Sequence, residues 1–204
     1  MNQTQARFLA LWSRCGGMHG EAVYADLVRH YTEPTRRYHT LDHIRRCMRH
    51  VDWARAAIPD PDAVELALWC HDVIYMPGAR DNELRSTRWF QRCAAGRIAA
   101  ADHIVEMILA TTHALAPDDL GARFTVDIDL ADLGGYRARF RQDQAHLRAE
   151  RPDLDDVAYD TFERAFLGAL LARPSIYHTD LFHVRCEARA RVNLAWRLAL
   201  PAPH

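Results

Sequence analysis

His71 and Asp72 interrupt the apolar run Ala67–Tyr75, A-L-W-C-H-D-V-I-Y. An imidazole and a carboxylate side by side are costly to bury unless something satisfies both, and a divalent metal does so. Read alone, the pair also fits a hydrogen-bonded core histidine beside an exposed aspartate. Upstream, His39 and His43 are four apart. A helix that includes or immediately follows His39 puts them on one face, which Arg46 and His50 continue. In isolation these two would be solvated histidines near a helix start. Antiparallel neighbouring helices on a short connection bring His43 and His71 to one point in a bundle core. Downstream, F-T-V-D-I-D-L offers Asp127 and Asp129. One of them competes as a helix cap or a dipole-stabilising carboxylate. His43, His71, Asp72 and one of these aspartates make a mixed N/O set suited to manganese, iron, magnesium or zinc with open positions.

The elements that must position these residues read as helices almost throughout. Thr4 is the expected cap of a first helix through Phe8, Leu9, Leu11 and Trp12, ended at Gly16-Gly17. A second carries Val23, Tyr24, Leu27, Val28 and Tyr31 and stops near Pro34. Thr40 caps a third, whose buried stripe is Ile44, Cys47, Met48, Val51 and Ala54. A fourth, capped by Asp60, begins at Pro61 and runs into His71-Asp72; the next starts at Asp81. Ile104, Val105, Ile108 and Leu109 form a further stripe that ends near His113. V-D-I-D-L alternates like a short strand, although Asp127 and Asp129 facing one way suit a site better. A polar helix over Tyr136–Glu150 follows, and then a core helix with Phe162, Ala165, Phe166, Ala169 and Leu170. The last helix is expected to bury Leu181, Val184, Ala188, Val192, Ala195 and Trp196. The predicted fold class is all-α.

The 204 residues, with no internal repeat or linker, point to one domain over 1–204. Net charge is −1, so no basic field suggests a nucleic-acid partner. Every cation is an arginine, 26 in all, so a phosphate clamp must use guanidinium. Five widely spaced cysteines without a C-x-x-C indicate neither a zinc knuckle nor a disulfide framework. No signal-peptide core is visible, and no apolar run approaches the ~18 residues of a membrane span. The expectation is a cytoplasmic protein with reduced thiols. A homodimer through a helical face is compatible with the pattern.

H43…H71-D72…D129 resembles the H…HD…D signature of the HD superfamily, all-helical metal-dependent phosphohydrolases. More narrowly, the chain is similar to the predicted metal-dependent HD phosphohydrolases of ~200 residues. Y38-H39-T-L-D-H43-I, H71-D72-V-I-Y, D81-N82-E83, A110-T-T-H113, D127-I-D129-L and A188-R-A-R-V-N193-L carry the match through most of the chain. The first segment also looks like the Y-H-N-x-x-H-A stretch of cyclic-nucleotide phosphodiesterases, with Thr40 in place of Asn and Ile44 in place of Ala.

The resemblance implies a single HD-type helical bundle with His43, His71, Asp72 and Asp129 as metal ligands. The metal would be a divalent ion: Mn, Mg, Fe, Ni, Co or Zn. His39 would stand near the leaving group as a proton donor, and Asp72 would also orient the attacking water. Motif position alone gives roles to Glu83, His113 and Asn193. A second metal near His113 is compatible with the pattern. Arg36, Arg37, Arg46, Arg80 and Arg85 are the candidates to hold phosphate. The expected activity is hydrolysis of a phosphoester or phosphoanhydride of a small substrate, a nucleotide or related compound. The alternative is a sensor or scaffold that binds metal or nucleotide without turnover.

Overall fold

A computed structural model describes residues 2–203. The helices are α1 (Gln3–Arg14), α2 (Gly20–Tyr31), α3 (Leu41–Ala54), α4 (Pro61–Cys70), α5 (Asn82–Ala94), α6 (Ala101–Ala110), α7 (Leu120–Asp129), α8 (Arg137–Ala149), α9 (Asp156–Leu171) and α10 (Asp180–Ala199). Short 3-10 turns occupy Arg55–Ala57 and Leu130–Gly134. No strand occurs among the described residues, so the all-α expectation holds. No helix there is long and apolar enough to cross a membrane, and all five cysteines are free.

Side-chain caps set most helix starts. Thr40 accepts from the Asp42 amide, and Asp60 from Ala63 with Pro61 in the first turn. At the first helix the cap is Asn2, which accepts from Gln5; Thr4 lies inside α1. Asn and Thr are both good caps, and local sequence alone does not choose between neighbours two residues apart.

The bundle is built around α4. Ala63 through Cys70 are all buried, as in a helix packed on every side. It packs on α3, α6 and α7, and its Trp69 meets Phe8 of α1 edge-on at 5.3 Å between ring centroids. Phe8 also stacks on Trp12, while Tyr31 donates its hydroxyl to the Trp69 carbonyl at 3.0 Å. One continuous apolar core joins α1 to α10. Phe8 is fully buried at its centre. Phe8→Ala is therefore expected to destabilise the protein by about 3–5 kcal/mol, read as a lower urea midpoint.

Three expected faces need correction. V-D-I-D-L is the last turns of α7, started by the Asp119 cap, and not a strand. Val126, Asp127 and Ile128 are all buried, so both sides of that helix meet protein and its alternation carries no strand signal. On α9 the core side is Tyr159, Leu167 and Leu170; Phe162 and Phe166 are 54% and 41% exposed. On α10 the buried residues are Phe182, Cys186, Ala190, Asn193 and Leu194, whereas Val184 is 86% exposed and Val192 60%. That helix has two apolar stripes, and the buried one contains an asparagine and a glutamate that disguise it.

Candidate metal centre

Helix ends deliver the polar cluster. Because α4 is enclosed, the residue at its C-cap, His71, emerges inside the protein with Asp72 next to it. His43 comes from the first turn of α3, and Asp129 is the last residue of α7. His113 follows α6 in left-handed conformation, φ 55°. His39 precedes the Thr40 cap and so lies outside α3 rather than on a shared helical face with His43.

The donor atoms converge. His43 Nε2 lies 3.1 Å from Asp129 Oδ1 and 3.3 Å from His71 Nε2. His71 Nε2 lies 3.0 Å from Asp72 Oδ2 and 3.3 Å from Asp129 Oδ1. His113 Nε2 meets the other Asp129 oxygen, Oδ2, at 2.9 Å. His71 Nδ1 must donate to the Leu68 carbonyl, 2.8 Å away, so Nε2 of the neutral ring offers a lone pair. Lone pairs and carboxylate oxygens facing one another are satisfied by a shared proton or a shared metal ion. With protons alone, burial opposes the His71 charge, but Asp72 and Asp129 outweigh it and hold its pKa well above the usual value. Burial works against ionised Asp72 and Asp129 too, yet His71 keeps both below the carboxylate range. His43, His71 and Asp72 form one group that could hold a metal ion, and His43, Cys47 and Asp129 form a second. Asp129 Oδ1 also faces His43 and His71, so one ion among His43, His71, Asp72 and Asp129 would satisfy these groups with both imidazoles neutral.

Asp127 does not reach this cluster. Two residues apart on a helix, it and Asp129 point to different sides. Asp127 accepts the amides of His178 and Thr179, each at 2.8 Å, and the Thr179 hydroxyl at 2.7 Å. It pins the entry to α10. Burial pushes its carboxyl up to about 6 against those three donors.

A cavity of about 510 Å³ opens onto the cluster. His39, Asp72, Glu83, His113 and Asp129 line it. His39 stacks on Tyr75 at 4.0 Å and places Nδ1 2.5 Å from Glu150 Oε2. Glu150 Oε1 accepts the amides of Arg37, Tyr38 and His39, which fixes the segment before α3. Burial disfavours a charged His39, but Asp72 and the Glu150 hydrogen bond raise its pKa overall. Burial raises the Glu83 carboxyl, with Asp72 adding to it.

Of the five candidate phosphate arginines, Arg80 lines the cavity. Arg36 is buried and donates to the carbonyls of His39, Asp72 and Val73, so it braces the site's backbone. Arg37 turns to the carbonyls of Pro34 and Arg36, Arg46 to Asp132 and Asp42, and Arg85 to Asp81. Asn193 donates to the carbonyls of Leu133 and Gly135, tying α10 to the turn after Asp129.

Sequence reasoning missed Glu150, Arg151 and Cys47. Arg151 lines the cavity, oriented by two hydrogen bonds to Asp153. Glu150 ends a polar helix, 111 residues from His39, and no local signal marks it. Cys47 is four residues after His43, a spacing that could have found it. Its sulfur lies 3.7 Å from His43 Nε2 and 3.9 Å from Nδ1, beside the ring rather than ahead of Nε2. Comparison of the chain with family models, with curated proteins and with solved structures yields no match.

Proposed function

We propose that this chain is a metal-dependent phosphohydrolase of the HD type, acting on a small phosphorylated compound such as a nucleotide or related phosphate ester. Supporting it is the convergence of His43, His71, Asp72 and Asp129, two of which, Asp72 and Asp129, line a substrate-sized cavity. These four residues would hold a divalent cation; such an ion, when bound, activates water and offsets charge on a phosphoryl group.

The chain's own groups divide the remaining work. Asp72 can accept a hydrogen bond from an incoming water and so orient it for in-line attack. His39, whose pKa is raised by Asp72 and by its hydrogen bond to Glu150, can give a proton to the leaving oxygen. Arg80 and Arg151 on the cavity wall supply guanidinium donors for phosphate oxygens. Glu83, nearby and with a raised pKa, is a further proton carrier.

The test is metal content of gently purified wild-type and His71→Ala protein, then a phosphate-ester panel with added manganese. About one or two metals per chain, lost in the variant, with cleavage of an ester, is the expected result. No metal after reconstitution would make the cluster a structural polar core and end this reading.

A further inference from the structure

One wall of the cavity is a single face of α9. Phe162, Glu163, Phe166 and Leu167 all line it. Its inner end is beside the polar cluster, where the Phe166 and His113 rings are 6.5 Å apart. Glu163 is three residues earlier, roughly 4.5 Å back along the helix axis. That offset is comparable to the width of a sugar ring. Only 5% of Glu163 is exposed, and neither Oε1 nor Oε2 accepts a hydrogen bond. Its ion pair with Arg197 engages Oε2, and Arg197 is already held by Asp160 at 2.6 Å. Gln144 Oε1, from α8 and also lining the cavity, likewise lacks a donor. A buried acceptor without a donor is costly, and a ligand that brings donors removes that cost. The exposed faces of Phe162 and Phe166 beside it offer an apolar floor for ring carbons.

We propose that Glu163 is a specificity residue that accepts hydrogen bonds from neighbouring hydroxyls on the organic half of the substrate, so that the cavity selects phosphate esters of a sugar ring. This rests on the phosphohydrolase reading for the placement of the phosphate, but it is tested by binding and not by turnover. The probes are the non-cleavable phosphonate isosteres of ribose 5-phosphate and of cyclopentylmethyl phosphate, the same ring size without hydroxyls. They are titrated calorimetrically into the manganese-loaded full chain. Wild type is expected to bind the ribose isostere at least ~10-fold more tightly. Glu163→Leu is expected to lose that preference while binding the cyclopentyl isostere as wild type does. If the leucine variant does not fold, Glu163→Gln is read instead, with the preference falling below about threefold. Equal affinities in wild type, no binding of either probe, or a preference that survives the substitution would each overturn the proposal. Absence of phosphate-ester cleavage alongside an intact, Glu163-dependent preference would refute the hydrolase reading alone.

Discussion

Asp129→Asn is expected to lose bound metal and to drop phosphate-ester hydrolysis to background, while Asp127→Asn keeps both. The two aspartates lie in one short segment, D-I-D, yet the fold gives them unrelated tasks. Asp129 joins three imidazoles: Oδ1 faces His43 and His71, and Oδ2 faces His113. An amide there removes the negative charge and brings an N–H₂ group toward atoms that must act as acceptors. At Asp127 the charge meets none of these imidazoles but three donors near α10. Asparagine can satisfy only part of that set, so the expected cost is stability, about 1–3 kcal/mol. Elemental analysis and a urea titration on both variants separate the two effects. Metal loss in Asp127→Asn with retention in Asp129→Asn would reverse the assignment.

His39→Gln is expected to retain metal and lower kcat by about 10²–10⁴-fold, the usual contribution of a positioned general acid. Glu150→Gln should act through the same proton. Burial lowers the His39 pKa, while Asp72 and Glu150 raise it further than burial lowers it. An acid donor must be protonated, so activity is lost as pH rises through its pKa. Removing the Glu150 charge lowers that pKa, and the alkaline limb of the kcat profile should move to lower pH. A kcat–pH series on wild type and Glu150→Gln checks the direction. An unmoved limb, with metal content and folding unchanged, would take the proton-donor role away from His39. Glu150 also holds three backbone amides, so a melting curve accompanies the kinetics.

Much of this protein was legible in its sequence because the signals are local. The caps Thr40 and Asp60, the 3.6-residue spacing of Ile44, Cys47, Met48 and Val51, and the polar interruption at His71-Asp72 each need only a few neighbours. An all-helical chain with a polar cluster at the end of an apolar helix follows from them. Which apolar face is inside does not. Val184 and Val192 repeat at helical spacing as regularly as Cys186, Ala190 and Leu194, and only the partners of α10 decide that the second set is buried. The D-I-D segment has the same limit, since alternation is shared by a strand and by a helix enclosed on both sides. The clearest tertiary decisions are pairings across the chain. Glu150 reaches His39 over 111 residues, Asp127 reaches Thr179 over 52, and Arg36 is turned from phosphate to the carbonyls of Asp72 and Val73. A charged side chain's sequence neighbourhood states what it can bind. Its partner is set by which helix ends meet, and that depends on how the whole core packs.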